Sequence, residues 1–234
     1  FPKIELFQNE KYNFSSELGG SVFRGIPGPF LTNSFKVRRL FSSLDYFDFS
    51  TRIGYEAQSG FINTTDTRNN LELNVSASIN FPTLYLPQVL ISKLGSYYGA
   101  KTSVGVGFDF INRPEYQRTN LNLFQRYTWQ KSEYSFFTFS LINLNLLNTI
   151  YPETATSDAF KTYLEELKGK GNNLYRSFNP SFVSSVSFQY VYRDLLPSNE
   201  LKNGKIFQIG LESGGSTLNL LPSHKFSFVT DLQI

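Results

Sequence analysis

The sequence predicts an all-β fold, a transmembrane antiparallel β-barrel, and three observations predict it. Apolar and polar residues alternate with a period of two along the whole chain, the signature of strands with two unlike faces. The strand formers Phe and Tyr are abundant, with 24 Phe and 14 Tyr against one Trp, and Tyr also favours membrane interfaces. Charged residues make up 18%, below the roughly 25% of a soluble domain. Mean hydropathy is nonetheless −0.25, the near-zero value expected where apolar and polar positions cancel. No apolar run of about 18 residues occurs, which excludes a transmembrane helix.

Ten candidate strands lie near residues 11–19, 30–40, 46–57, 70–81, 102–112, 117–130, 134–147, 181–193, 205–214 and 226–234. The fourth is the cleanest: Leu71, Leu73, Val75, Ala77, Ile79 and Phe81 alternate with Glu72, Asn74, Ser76, Ser78 and Asn80. In the third, Phe47, Phe49, Thr51, Ile53, Tyr55 and Ala57 oppose Asp48, Ser50, Arg52, Gly54 and Glu56. In the eighth, Phe182, Val186, Phe188, Tyr190 and Tyr192 lie on one side. The seventh is irregular, because Phe136, Phe137, Phe139, Leu141, Ile142 and Leu144 make both of its faces apolar. One of those faces is expected to meet a plug, a loop or a partner.

A soluble β-sandwich alternates in the same way, and three features argue against it. The segments reach about 10 residues, longer than the usual five or six and long enough to cross a bilayer at a tilt. The polar face carries Lys36, Arg52, Glu72, Asp109 and Arg126, which a watery lumen accepts and a sandwich core does not. Aromatic residues gather at strand ends, among them Tyr46, Phe47, Tyr55, Tyr127, Trp129, Tyr190 and Tyr192, as in an aromatic girdle.

The connections follow. With residue 1 on the periplasmic side, the long stretches 58–69 and 148–180 are outside loops and 41–45 is a periplasmic turn, the usual asymmetry. The stretch 82–101 is long yet periplasmic. Its Leu84, Leu86, Val89, Leu90 and Ile91 can pack on a periplasmic domain or lie at the membrane interface. One helix is expected over 157–168, capped by Ser157 or Thr156, with Asp158 in its first turn and Gly169 at its end. Phe160, Tyr163, Leu164 and Leu167 form its apolar face. That face either packs on the outside loops or receives a partner.

Little here supports chemistry. With no Cys and His224 alone, a two-histidine metal site and a thiol nucleophile are excluded, and no nucleophile elbow occurs. No phosphate-cradling Gly-Lys loop is present, and Gly105 and Gly107 read as close packing or curvature. Asp48, Arg52 and Glu56 share a face and suit a lumenal ion-pair ladder better than catalysis. The sequons at Asn13, Asn63 and Asn74 are short enough to arise by chance. A net charge of +3 with no basic cluster beyond Arg38-Arg39 argues against nucleic acid. No cofactor is implied.

Several motifs, in order, resemble one family. Ile26-Pro27-Gly28-Pro29-Phe30-Leu31 leads to Arg38-Arg39-Leu40-Phe41, and then to Arg52-Ile53-Gly54-Tyr55-Glu56-Ala57-Gln58. This resembles the first barrel strands of the BamA/TamA family of outer-membrane assembly factors, with Arg39 where Asn is common. Asn112-Arg113-Pro114-Glu115-Tyr116-Gln117-Arg118-Thr119 is similar to a loop of its TamA-like lipoprotein (TamL) branch. Leu141-Ile142-Asn143-Leu144-Asn145 and Leu211-Glu212-Ser213-Gly214-Gly215 resemble strand segments of that branch. The family's Val-Arg-Gly-Phe-type motif has no counterpart here.

The resemblance implies periplasmic POTRA domains followed by a sixteen-stranded barrel in the bacterial outer membrane. Residues 1–10 would then be the POTRA junction, and 11–234 the N-terminal part of an incomplete barrel. It implies a non-enzymatic protein that folds and inserts, or translocates, outer-membrane proteins. Its partners would be unfolded outer-membrane clients, the lipid bilayer and accessory subunits. The implied site is a lateral seam whose first strand, Tyr12, Asn13, Phe14, Ser15, Ser16, Glu17, Leu18, Gly19 and Gly20, pairs with client strands by β-augmentation. Gly19-Gly20 would loosen the end of that strand or simply start a loop. The alternatives are a passive channel or two-partner-secretion-type transporter, and an outer-membrane enzyme.

Overall fold

A computed structural model describes residues 10–41, 44–59, 67–194 and 204–215. It contains nine strands: β1 (Tyr12–Phe23), β2 (Ile26–Arg38), β3 (Tyr46–Ser59), β4 (Thr67–Phe81), β5 (Tyr98–Asn112), β6 (Gln117–Ser132), β7 (Ser135–Ile150), β8 (Ser181–Asp194) and β9 (Lys205–Gly214). Each pairs antiparallel with the next, giving one nine-stranded meander in sequence order. Among the described residues β1 and β9 are its two edges, and the sheet does not close. Nine of the ten expected strands are present, most of them longer at one or both ends than the alternation suggested; the tenth, 226–234, lies outside the described residues. At about 3.3 Å per residue, a 15-residue strand such as β4 runs about 50 Å.

The cross-strand register assigns every side chain to one of two faces. Leu31, Ile53, Leu73 and Phe110 share one face along a single path. Phe35, Phe49, Ala77, Val106 and Leu123 share it along another. The opposite face carries Lys36, Asp48, Ser78, Gly105 and Phe124 in the same way. Hollows on the sheet, one of about 630 Å³ lined by Asn74, Asp109, Arg118, Asn120 and Asn145 together with Ile111, Leu147 and Val183, open on the polar face, which is therefore concave. The apolar face is exposed: Phe14, Leu18, Ile53, Val106, Leu123 and Leu211 are all open, and Leu18 is 81% exposed.

The irregular seventh strand has a local explanation. Between Ser140 and Asn143 the pairing of β7 with β8 shifts, and between Gln125 and Arg126 so does that of β6 with β7. Leu141 and Ile142 together oppose one residue of β8, a β-bulge that reverses the alternation. Phe137 and Phe139 before it, and Ile142 and Leu144 after it, thus all reach the apolar face. The two apolar faces expected of this strand are mostly one face read across a bulge. Phe136 is the exception: it lies on the polar face, beneath the Arg193 guanidinium.

The β1–β2 connection is a two-residue hairpin. Arg24 (φ 50) and Gly25 (φ 80) take the left-handed pair of a type I′ turn. The hydrogen bond from Arg38 N to Lys11 O places odd-numbered β1 residues at the hydrogen-bonded positions facing β2. Pro27 and Pro29 oppose Val22 and Gly20, so their nitrogens point away from β1. They point to where β3, whose pairing with β2 starts at Phe30, offers no partner. Two prolines in a strand therefore break no ladder bond.

Gly19 lies inside β1 and not at its end. Directly opposite it is Phe30, whose other neighbour in register is Gly54. The ring lies over Gly19 on the polar face, while a Cβ at Gly54 would stand 3.0 Å from Phe30 Cβ; the Arg52 guanidinium is 4.2 Å from the ring centre. Gly105 and Phe124 repeat the device on β5 and β6, with Arg126 over the ring. A Cβ at Gly105 would stand 2.6 Å from Phe124 Cζ and 2.9 Å from the carbonyl oxygen of Ala77. At Gly107 the nearest atom would be 3.9 Å away, so close packing accounts for Gly105 but not for Gly107. Gly105→Ala is therefore expected to destabilise the sheet by about 1–3 kcal/mol while Gly107→Ala is nearly neutral. Urea unfolding of the two variants in one detergent or lipid system checks this, and equal losses would refute the packing account.

Candidate functional site

Three surfaces are candidates: the β1 edge, the polar concave face, and the structure at each end of the sheet. Tyr12, Asn13, Phe14, Ser15, Ser16, Glu17, Leu18 and Gly20 are exposed and Gly19 is half-buried. Among the described residues β1 pairs only with β2. Because odd residues hydrogen-bond β2, the backbone N–H and C=O of Tyr12, Phe14, Ser16 and Leu18 point outward along the free edge. The side chains of these four residues lie on the apolar face, and those of Asn13, Ser15 and Glu17 on the polar one.

On the concave face polar side chains link strand to strand. Lys36 Nζ meets Asp48 at 3.2 Å, Asn80 donates to Asp48 at 3.3 Å, and Ser103 donates to Asn80 at 2.7 Å, a chain across β2 to β5. Asp109 accepts from Asn74 at 2.9 Å and from Asn120 at 3.2 Å. Asn122 donates to Asn145 at 2.8 Å, and Asn143 donates to Ser185 at 3.2 Å. Asp48 thus has a cross-strand cation in Lys36, while Arg52 lies over Phe30. Cross-strand neighbours are about 5 Å apart, closer than residues two apart on one strand. Among the described residues no group of His, Cys, Asp and Glu could hold a metal ion. These amides and carboxylates can donate to and accept from polar solutes.

One end of the sheet, here the upper end, carries the β1–β2, β3–β4, β5–β6 and β7–β8 connections. There α2 (Ala155–Gly169) and a 3-10 turn (Asn173–Phe178) join β7 to β8. The cap is Thr154, whose hydroxyl accepts from Ser157 N, not Ser157 or Thr156. The terminator is Gly171 (φ 73), not Gly169: Gly171 N donates to Lys168 O and Asn172 N to Leu167 O, a Schellman pair. Phe160 (0% exposed) and Leu164 are buried against Tyr116 and Phe178, with Tyr163 packed beside them; Leu167 is half-buried. The apolar face of the helix thus rests on Tyr116 of the β5–β6 loop and Phe178 of the 3-10 turn, and Thr154 also reaches Pro114 O of that loop at 3.4 Å.

At the lower end, residues 82–97 fold back onto the apolar face. Thr102 donates to Thr83 O at 2.6 Å, Tyr85 N donates to Thr102 Oγ1 at 3.0 Å, and Tyr127 donates to Tyr85 O at 3.2 Å. Leu84 is buried against Tyr127 and Trp129, with Leu86, Leu94 and Tyr97 beside it. A short helix, α1 (Gln88–Leu94), carries Val89 and Leu90 on its open side, 68% and 48% exposed. Trp129 stacks on Phe137 at 5.5 Å, and Phe137 meets Tyr190 at 4.9 Å. Of the aromatics expected at strand ends, Phe47, Tyr127, Trp129, Tyr190 and Tyr192 lie on the apolar face toward this end, whereas Tyr46 is on the polar face under Lys36 and Tyr55 is toward the upper end. In the turn 39–45, Arg39 takes φ 59, a left-handed conformation that Asn adopts more readily. The Asp45 carboxylate accepts from Phe41 N at 2.7 Å.

These features define a class: an antiparallel β-meander with one polar, hydrogen-bonded face and one exposed apolar face. Comparison with protein-family models, curated proteins and solved structures finds no match for this chain.

Asp109→Ala would strand the amides of Asn74 and Asn120. It is expected to cost about 1–2 kcal/mol, part of the usual penalty because water reaches this face; urea unfolding reads it. At the upper end, burial raises the Tyr116 phenol above its ordinary value, against the pull of Arg113 and Arg118. Burial, with Tyr116 adding to it, raises Tyr151. The Arg176 hydrogen bond lowers Tyr175. A phenol held neutral in the fold stabilises fully below the ordinary value near 10 and loses that contribution as pH rises through the higher folded value. Tyrosinate absorbance of the Tyr→Phe variants should therefore show Tyr175 ionising first. Tyr116 and Tyr151 should ionise after it, above the ordinary value, together with exposure of α2 to protease; ionisation of Tyr116 at the ordinary value would refute its burial.

Proposed function

We propose that this chain is part of an outer-membrane β-barrel that assists the folding and insertion, or the translocation, of other outer-membrane proteins. In this reading it acts without enzymatic chemistry, in the bacterial outer membrane. The observation that carries it is the β1 edge, a twelve-residue strand bonded, among the described residues, on one side only and set at the boundary of an exposed apolar face. In hydrocarbon every unpaired backbone group costs several kcal/mol. An edge of this kind at membrane depth is a template for a client strand, which gains its ladder bonds before its own sheet closes. Insertion is driven by client burial and needs no nucleotide.

The apolar face supports a bilayer setting, because a contiguous apolar surface across nine strands far exceeds what soluble monomers expose. Among the described residues no helix is long and apolar enough to cross a membrane, which says nothing about strands. The resemblance of the Pro27-to-Gln58 run and of the Asn112-to-Thr119 loop to the BamA/TamA family points the same way. It adds POTRA domains, a sixteen-stranded closure and accessory subunits as proposals. The polar ladder of the concave face favours a second reading, a passive channel or two-partner-secretion-type transporter, whose lumen such residues would line.

The test uses the polarity of the β1 backbone. In the full-length protein, Ser16→Pro removes an N–H that points to the free edge, while Ser15→Pro removes one that bonds β2. Ser16→Pro should abolish disulfide crosslinking between an edge cysteine at Phe14 and client strands in cells, and lower outer-membrane protein levels, with the folded barrel retained. Client levels indifferent to Ser16→Pro, with the Phe14 cysteine crosslinking only within its own chain, would favour the passive channel.

A further inference from the structure

We propose that residues 82–97 form an interfacial collar that binds the phospholipid headgroup boundary of the leaflet at the lower end of the sheet. This rests on the bilayer setting of the apolar face and goes beyond it. The segment is a long connection that leaves the strands and returns across their apolar side. Three hydrogen bonds among Thr83, Tyr85, Thr102 and Tyr127 hold its backbone there. One side is spent on Leu84 and its packing against Trp129. The other side leaves Val89 and Leu90 open, continuous with the apolar belt of the strands. The cations at this level suit an anionic surface. Lys93 lies in the last turn of α1 and is exposed. Exposed Lys131 lies over the Phe137 ring at 5.9 Å, on the same face. Apolar side chains beside lysines and aromatic rings are the composition of a segment lying in the interface plane.

A soluble periplasmic domain is the competing occupant, and depth separates the two. The chain has no Cys, so a nitroxide can be placed at Leu90→Cys and, as a reference, at Val106→Cys in the middle of the apolar face. The full-length protein is reconstituted in vesicles of phosphatidylethanolamine and phosphatidylglycerol. Collision with oxygen and with a nickel chelate is then compared. The collar predicts a Leu90 label that favours oxygen, at a depth shallower than the Val106 label. A Val106 label in lipid with a Leu90 label open to nickel, or shielded from both probes, overturns the collar alone. Both labels open to nickel overturn the bilayer setting itself. The headgroup contact is read separately with Lys93→Gln/Lys131→Gln, which should lose preference for phosphatidylglycerol over phosphatidylethanolamine by roughly fivefold per lysine. An unchanged preference overturns that contact.

Discussion

A β-ladder decides for every side chain which of two faces it meets, and in this chain the two faces are chemically opposed. A slip of one residue anywhere would place Leu, Phe and Val where Asn, Asp and Arg belong. The register is therefore held at many points, and by different means on the two sides. On the concave side it is held by directional contacts: the Lys36–Asp48 pair, the two amides on Asp109, and rings seated over Gly19 and Gly105. On the other side apolar rows follow the strands, and their burial depends on what lies outside the sheet.

The glycine–aromatic seats show how far this constraint reaches. Phe30 and Phe124 are large apolar residues on the polar face, which the alternation forbids in a simple reading. Each is accommodated because the residue opposite has no side chain and because a guanidinium covers the exposed ring. The ring then shields the glycine backbone that would otherwise loosen the strand. Gly19 belongs to this arrangement, so the seat of Phe30 ties the edge strand β1 to β2 where the backbone is weakest.

The two ends are closed by unlike chemistry. The upper end carries a helix whose aromatic and aliphatic residues bury Tyr116 of the β5–β6 loop, so that two distant connections stabilise each other. At the lower end one segment is laid over the apolar face above Trp129. Helix capping at Thr154 and Gly171, and hydrogen bonds from Thr102 and Tyr127, satisfy backbone groups that would otherwise be lost in these excursions. What they leave open differs: polar surface above, and apolar surface flanked by lysines below.

Period-two alternation, strand length and the scarcity of His and Cys are properties of the chain read in order, and they were enough for the all-β class, for nine strands and for the helix near 155–169. The same reading stretched no further than local pattern. The bulge at Leu141 looked like a strand with two apolar faces, because a one-residue insertion changes parity without changing composition. The sequence does not single out Thr154 and Gly171 as the caps, since several Ser, Thr and Gly residues satisfy the same local rule and only the helix axis selects among them. The apolar residues of α2 were legible as a face, but not what that face meets. Tyr116 lies about 45 positions away in the chain and reaches Phe160 only through the pairing of β5, β6 and β7. Likewise the sequence does not assign Leu84 to the apolar face; the register that places Thr102 and Tyr127 on that face does. Periodicity is local and survives in the sequence; which surfaces meet is set by long-range pairing, and that only the tertiary structure decides.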